Sequence, residues 1–218
     1  MERLGTMSGC SAEQFGGVPY IGALFGSSGG QPTNHFATAF VVASRHGNIL
    51  MSAAHILIGR DPTNLIFAPG YANGQAPHDL WHIHKAYTDP AWQASQSIDD
   101  DFCFLKVGAD VQARVGSLSL LTEANPQACS VIGYPDGLTG PVQAAVQAVW
   151  YTPGHQLEFA CNGYPDGTSG SPWIIDGNSA YGLIGGYQQG GDTSSVSYSP
   201  YFDTNVRNLY NTAIEAFL

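Results

Sequence analysis

The sequence GTSGSP at residues 167–172 leads directly into the apolar segment WII at residues 173–175. Glycine permits backbone conformations that other residues avoid, so Gly167 can turn its N–H toward the place where the N–H of Ser169 points. We expect Gly170 to leave room for a substrate to approach. Two convergent N–H groups next to a hydroxyl can stabilise a developing oxyanion, so this stretch predicts a nucleophile loop that opens a β-strand.

Two upstream segments supply the groups that a serine nucleophile needs. SAAH at residues 52–55 follows a short apolar strand, and three aspartates at residues 99–101 precede the apolar strand 102–105. Alone, such a histidine is usually a packed side chain and such aspartates are usually solvated. Serine catalysis, however, needs an imidazole base and a buried carboxylate that orients it. Only Asp101 directly precedes the strand, so Asp99 and Asp100 are interpreted as bystanders.

The order of these groups along the chain discriminates between folds. It is His55, then Asp101, then Ser169, whereas α/β-hydrolases have the order Ser, Asp, His with the nucleophile in a GxSxG motif. Here the second residue after Ser169 is Ser171 and not glycine. An esterase on such a fold is therefore disfavoured.

Composition supports an all-β protein and excludes several classes of partner. The 218 residues include 27 glycines, only 11% are charged, and the formal net charge is −10. Nucleic acid is an unexpected partner for such an acidic chain, and no apolar run approaches the roughly 20 residues that span a bilayer. We expect a monomer without a cofactor. The start MERLGTMSGCSAEQ has neither the basic nor the apolar region of a signal peptide.

Short strand-like segments separated by Gly, Pro, Asn and Asp predict a barrel or sandwich. A polar arm at residues 1–15 precedes them, and residues 108–127 are interpreted as a linker. Only the end has helical periodicity, with a helix predicted over 201–218 and Asp203 or Thr204 as its N-cap. The predicted strands are Val18–Phe25, Ala37–Ser44, Ile49–Ser52, Leu65–Ala68, Leu80–Tyr87, Phe102–Val107, Ala128–Tyr134, Val142–Tyr151, Gln156–Cys161, Pro172–Ile175 and Ala180–Gly186.

The motifs SAAH, DFCFLKV and GTSGSPW, in this order, resemble those of the chymotrypsin-like (trypsin-fold) serine proteases. VIGYPDG and IGGYQQGG are similar to the bacterial branch that includes glutamyl endopeptidases, and the resemblance covers about residues 16–212. It implies two six-stranded antiparallel Greek-key β-barrels with a C-terminal α-helix. The expected units are the arm 1–15, a first barrel 16–112, a second barrel 113–200 and the helix 201–218.

The resemblance also implies roles for individual residues in a serine endopeptidase acting on proteins or peptides. His55 would be the general base and acid, Asp101 its orienting carboxylate and Ser169 the nucleophile, with the amides of Gly167 and Ser169 as the oxyanion hole. A catalytically silent binding module on the same fold remains the alternative. Expected substrate-binding residues are Tyr164, Asp166, Gly185, Gly186 and Tyr187.

Several positions depart from the family pattern. Ala37 and Ile56 stand where a family disulfide often lies, and Thr168 replaces the aspartate that pairs with a freed N-terminus in trypsin-type enzymes. We therefore expect unpaired buried thiols at Cys103 and Cys129. Cys10 and Cys161 are also expected to be free, although Cys161 with Cys10 or Cys129 is the first pairing to test. The resemblance implies secretion, while the missing bridge leaves an intracellular location open.

Four histidines outside these motifs are expected to have structural roles. His155 could recognise an acidic side chain as in glutamyl endopeptidases, but a histidine beside a strand is more simply a surface residue. His82 and His84 share one strand face, and His78 lies nearby. Such a group could hold a metal, yet it is also typical of a half-exposed strand, so no metal site is predicted.

Overall fold

The structure, a computed structural model, describes residues 9–152 and 154–216. Residues 1–8 of the predicted arm, Pro153, and Phe217 and Leu218 of the predicted helix lie outside the described residues. The strands are β1 (Glu13–Gln14), β2 (Ile21–Ser28), β3 (Gln31–Val42), β4 (Ile49–Ser52), β5 (Leu65–Pro69), β6 (Trp81–Thr88), β7 (Cys103–Val107), β8 (Ser119–Leu120), β9 (Ala128–Gly133), β10 (Val142–Gln147), β11 (Val149–Tyr151), β12 (Gln156–Ala160), β13 (Pro172–Ile175), β14 (Ser179–Leu183) and β15 (Val196–Pro200). The α-helices are α1 (Pro90–Ser95), α2 (Val111–Val115) and α3 (Thr204–Glu215).

The first half of the chain closes into a barrel. Its six strands follow the order β2-β3-β4-β7-β6-β5, and β5 pairs back onto β2. Because closure leaves no free sheet edge, every strand of this described barrel has two hydrogen-bonded neighbours. The interior is filled by aliphatic side chains and phenylalanines, among them Leu24, Phe40 and Phe67, each fully buried. This barrel confirms the first six-stranded barrel of the prediction.

The second half is built from two sheets. The larger has the strand order β1-β10-β9-β13-β14-β8, and the smaller is β11-β12-β15. The predicted strand Val142–Tyr151 breaks at Ala148, whose N–H donates to the carbonyl of Gln127. β11 is thereby free to pair with β12 instead of continuing the larger sheet. In the described residues, the second barrel of the double-barrel fold thus has nine strands in two sheets, one pair of them parallel, where six antiparallel strands were predicted.

A disulfide ties the N-terminal arm to the second half. Cys10 and Cys161 are bonded, with their Cα atoms 4.8 Å apart, so the expectation of four free thiols is wrong. The physical reason is strand-like pairing: Ser11 bridges Asn162 in parallel, which sets the two cysteines side by side. Cys103 and Cys129 are free and buried, as predicted. Ala37 and Ile56, at the places of the family bridge, are also buried.

Helix α3 packs against the first barrel and confirms the predicted C-terminal helix and its N-cap. The carboxylate of Asp203 accepts from the N–H of Asn205, and Val206 and Ala213 are fully buried. At its other end the buried Lys106 ammonium donates to the carbonyls of Ala213 and Ala216. Burial lowers the pKa of Lys106. No helix in the described part of the chain combines the length and hydropathy needed to cross a membrane.

Candidate active site

His55 and Asp101 meet because the strands beside them are paired. His55 opens a 3-10 turn just after β4, and Asp101 lies between a 3-10 turn and β7. β4 and β7 are antiparallel, with Ser52 opposite Cys103. The segment after β4 therefore lies at the same end of the barrel as the segment before β7.

Asp101 is fully buried and accepts three hydrogen bonds. Its Oδ1 accepts from the backbone N–H of His55 at 2.7 Å. Its Oδ2 lies 2.7 Å from His55 Nδ1 and 2.7 Å from the backbone nitrogen of Gly186. A buried carboxylate needs such partners to remain ionised, and these three also fix its orientation. Within the described residues, the carboxylates of Asp99 and Asp100 bond to other partners and not to His55.

The loop carrying Ser169 is anchored to the first barrel through its backbone. The N–H of Thr38 donates to the carbonyl of Ser169 at 2.8 Å, and the Thr38 hydroxyl donates to the carbonyl of Gly167 at 3.1 Å. Gly170 has φ +86°, and a Cβ there would stand 2.2 Å from both Ser52 Oγ and the Thr38 carbonyl oxygen. Only glycine allows this close approach. The space beside Gly170 is therefore filled by the first barrel, and the expectation that it gives room to a substrate is wrong. Thr38, which sequence reasoning missed, therefore joins the two halves at the nucleophile loop.

The Ser169 hydroxyl lies 2.7 Å from His55 Nε2. An ionised carboxylate can only accept, so Asp101 assigns the imidazole proton to Nδ1. Nε2 is then the acceptor, and the Ser169 hydroxyl donates to it. The three side chains form one continuous chain of hydrogen bonds across both halves of the molecule.

Two backbone donors beside this hydroxyl are available. Within the described residues, neither the N–H of Gly167 nor that of Ser169 has a hydrogen-bond partner, whereas those of Thr168 and Gly170 bond to the carbonyls of Pro165 and Ile184. Buried backbone donors without partners are rare in proteins, and Gly167 is buried. These two N–H groups can receive an oxyanion formed next to Ser169.

Solved structures of serine proteases are similar to this chain over nearly its full length. Protease Anisep from Arthrobacter nicotinovorans matches 94% of this chain and 100% of its own, with a TM-score of 0.81 and 24% sequence identity. The thermostable serine protease AL20 from an extremophilic microorganism matches 91% of this chain and 98% of its own, with a TM-score of 0.78 and 24% identity.

A Glu endopeptidase matches 97% of this chain and 100% of its own, with a TM-score of 0.76 and 14% identity. This chain has the chymotrypsin-like fold. The predicted resemblance, including the relationship to a glutamyl endopeptidase, is confirmed at the level of the fold. Neither a protein-family model nor a curated protein sequence matches the chain.

A cavity of about 440 Å³ opens beside Ser169. Of the predicted substrate-binding residues, Tyr164 and Asp166 line it. Tyr164 is buried and donates to the carbonyl of Val131, and its burial raises the pKa of the phenol. The wall also contains residues that sequence reasoning missed, among them Asp136, Ile184, Gly190, Gly191, Asp192, Thr193 and Ser194. No local motif marks the last three positions, which reach the cavity only because the chain returns past it on the way to β15.

The two copies of the pentapeptide GYPDG, at residues 133–137 and 163–167, meet at this cavity. The N–H of Asp136 donates to the carbonyl of Asp166 at 2.7 Å. Gly167 ends the second copy with φ +91°, and a Cβ there would stand 2.3 Å from the nitrogen of Asp136. The repeated turn chemistry therefore places two aspartates side by side on the cavity wall.

The other three predicted substrate-binding residues lie elsewhere, beside Asp101 or in an aromatic cluster. Gly186 donates its N–H to Asp101, and the Gly185 backbone lies beside the same carboxylate. Tyr187 packs in an aromatic cluster with Tyr151 and Tyr198, at centroid distances of 5.0 and 5.1 Å. None of the three is among the described residues lining the cavity beside Ser169.

The remaining histidines lie away from the reacting groups. His155 is half-exposed and stacks on Trp150 at 6.0 Å, and it does not line the described cavity. The His78 imidazole lies near Gly70 and that of His84 near Gly108. In the described ranges, no three His, Cys, Asp or Glu side chains group closely enough to hold a metal ion.

Proposed function

We propose that this chain is a serine endopeptidase in which Ser169 is the nucleophile. The observation that carries the proposal is the 2.7 Å contact between His55 Nε2 and Ser169 Oγ, with Asp101 bonded to the opposite ring nitrogen. A hydroxyl is a weak nucleophile until a neighbouring base removes its proton. This geometry supplies that base, and the fold is one that solved serine proteases share.

In the acylation step, Ser169 Oγ attacks the scissile carbonyl carbon while its proton passes to His55 Nε2. The imidazolium that forms is stabilised by the Asp101 carboxylate, which is buried and already bonded to Nδ1. His55 then gives this proton to the leaving amine, and the C–N bond breaks to leave an acyl-enzyme ester. Water hydrolyses the ester by the same route in reverse.

The N–H groups of Gly167 and Ser169 are the proposed donors to the oxyanion of the tetrahedral intermediate. Removing one such donor typically costs about 10²–10³ in turnover. The segment between them is held by bonds that do not use these donors, since Thr168 Oγ1 donates to the Pro165 carbonyl at 2.7 Å. The two N–H groups are thus held in place while they remain free to donate to the oxyanion.

The experiment that tests the proposal labels the protein with a fluorophosphonate and digests a peptide library. Wild type should be labelled at Ser169 and should cleave peptides. Ser169→Ala should lose labelling and about 10⁴–10⁶ in turnover while keeping its fold, and Ser179→Ala, a change on strand β14, should behave as wild type. Labelling without peptide cleavage would favour an esterase, and absence of both would favour a silent binding module.

Activity should rise with pH, because His55 must be neutral to accept the serine proton. The measurement is kcat/KM against pH for a short peptide in EDTA. A chelator-sensitive activity restored by zinc would contradict the serine mechanism.

We also propose an oxidising compartment, and hence secretion. The Cys10–Cys161 disulfide supports this location, because such bonds persist outside the reducing cytosol. Fractionation of the source cells tests it. The protein should be recovered outside the cytosol with the bridge intact, and cytosolic recovery with four free thiols would contradict the proposal.

A further inference from the structure

A fully buried amide lies behind the candidate active site. Gln156 begins strand β12 and has no exposed surface. Its Nε2 donates to the carbonyl of Ile98 at 3.1 Å and to Asp99 Oδ1 at 2.7 Å, and its Oε1 accepts from the N–H of Tyr187 at 3.0 Å. Reversing the amide would set Oε1 against two acceptors. The partners therefore fix its orientation.

These contacts join the two segments that hold Asp101. Ile98 begins the 3-10 turn that ends just before Asp101 in the first barrel. Tyr187 follows Gly186, whose N–H donates to Asp101 Oδ2. A Cβ on Gly186 would stand 2.1 Å from Gln156 Oε1, so the amide packs directly against this backbone.

We propose that Gln156 is a positioning residue: its amide clamps the turn before Asp101 to the Gly186–Tyr187 backbone, and so sets the Gly186 N–H against the carboxylate that orients His55. This inference rests on the proposed function of the site. It also gives Asp99 a role, as the acceptor that holds the Gln156 amide. No local motif could show this, because Asp99 and Gln156 are distant in sequence.

Replacing the amide by a carboxyl group tests the clamp with little change in shape. In Gln156→Glu, one carboxylate oxygen would keep the Tyr187 N–H, but the other, in the place of Nε2, would face the Ile98 carbonyl and the Asp99 carboxylate without a donor. The protonated carboxyl could still donate to Asp99. Burial and the neighbouring carboxylate raise the pKa of the introduced carboxyl group, so its protonated form dominates at the acidic end of the pH range. The defect of Gln156→Glu should therefore grow as pH rises, whereas the activity of wild type should rise with pH.

The measurement is kcat/KM from about pH 5.5 to 9 for wild type, Gln156→Glu and the matched control Gln147→Glu. Gln147 is exposed on β10 and lies outside the site. We expect Gln156→Glu to lose about tenfold or more near pH 8.5, the cost of one unpaired buried group, with a smaller loss at the acidic end. The control should follow wild type. A profile like that of wild type, or a loss that is uniform across pH, would overturn the inference.

A second pair of variants covers the case in which Gln156→Glu does not fold. Asp99 is only partly buried, so Asp99→Ala should fold and should lower kcat/KM several-fold. Asp99→Asn combined with Gln156→Glu restores a donor–acceptor pair and should recover most of the activity at high pH. An Asp99→Ala variant as active as wild type would count against the clamp, as would a double variant no better than Gln156→Glu.

A spectroscopic measurement separates this inference from the proposed function. In a Ser169→Ala background, the NMR shift of the proton between His55 Nδ1 and Asp101 reports the environment of the carboxylate whether or not the protein hydrolyses peptides. Gln156→Glu should move this resonance at high pH, and Gln147→Glu should leave it in place. An unmoved resonance would refute the clamp even in an active protease. If wild type is inactive and Gln156→Glu still moves this resonance, only the proposed function is refuted.

Discussion

In the first barrel, His55 and Asp101 lie at adjacent ends of two paired strands, whereas in the second half Ser169 lies on an irregular loop. The first barrel closes on itself, and no disulfide crosses its described residues. The second half consists of two open sheets. The arm strand β1 pairs with the larger one, and the Cys10–Cys161 bond links the arm to this half. In the first barrel, strand register brings His55 and Asp101 to the same end, whereas the second half has the arm strand and the disulfide as added links.

The cores of the two halves also differ in the types of side chain that fill them. The first is packed with aliphatic residues and phenylalanine, whereas the second centres on Trp173, Tyr164, Tyr181 and Phe159. Buried tyrosines need hydrogen-bond partners, and the hydroxyls of Tyr164 and Tyr181 donate to the carbonyls of Val131 and Gln127. These hydrogen bonds therefore fix side chains of the second core to specific backbone atoms, which gives the loop that carries Ser169 a rigid support.

The largest expected effect concerns the contact between the halves. Gly170→Ala would force a Cβ to 2.2 Å from Ser52 Oγ and the Thr38 carbonyl, at φ +86°. Strain and overpacking together should cost roughly 3–6 kcal/mol and abolish activity. The control is Gly137→Ala, at φ +77° with no atom within 4 Å, which should cost only about 1–2 kcal/mol. Urea unfolding measures the loss of unfolding free energy in each variant. Equal losses would show that the contact of Gly170 with Ser52 and Thr38 is not tight.

Breaking the Cys10–Cys161 bond should destabilise the molecule by about 2–5 kcal/mol, which corresponds to a fall of roughly 4–20 °C in Tm. The reason is that the bond restricts the unfolded chain over a sequence separation of 151 residues. Calorimetry with and without dithiothreitol measures the loss, and Cys10→Ser with Cys161→Ser should reproduce it. The denatured protein should show two reactive thiols without reductant and four with it. An unchanged Tm would mean that the second half is held without the link.

The two free thiols offer a finer comparison between the cores. Burial raises the pKa of Cys129 to about 11 and raises that of Cys103 further. A thiol whose pKa is raised on folding stabilises the protein fully below its unfolded value near 9, and this contribution is lost as pH rises through about 11. For Cys129 the loss should approach about 3 kcal/mol. Stability between about pH 8 and 11 should fall less in Cys129→Ala than in wild type, and parallel curves would contradict the shift.

The smallest effect concerns substrate preference. Asp136, Asp166 and Asp192 lie on the cavity wall beside Ser169, and no lysine, arginine or histidine lines the described cavity. All three are exposed, so their combined attraction for a cationic side chain should be modest, about 1 kcal/mol. Peptides with Lys or Arg before the scissile bond should be cleaved several-fold faster than those with Glu. Asp166→Asn and added salt should each reduce this ratio, and a preference for Glu would contradict it.

The sequence predicted the parts of the site that are encoded locally. His55, Asp101 and Ser169 each lie next to an apolar strand, and those strands form nearly as predicted. The two-residue strands β1 and β8 carry too little pattern to be recognised. The Cys10–Cys161 pairing and the Gln156 contacts depend on segments far apart in the chain, which no periodicity links. The signal for α1 was present, since Asp89 caps it and Pro90 begins it, but it lay within an apparent loop.

The Cys10–Cys161 bond turns most of the chain into a covalent ring. The ring runs from the arm through the whole first barrel and the connection to β12, and it contains His55 and Asp101 but not Ser169. A single cut in any exposed loop of the ring opens it without releasing a fragment. A molecule cleaved once by another copy of this protein would therefore keep its mass on a non-reducing gel. It would separate into two bands only after reduction.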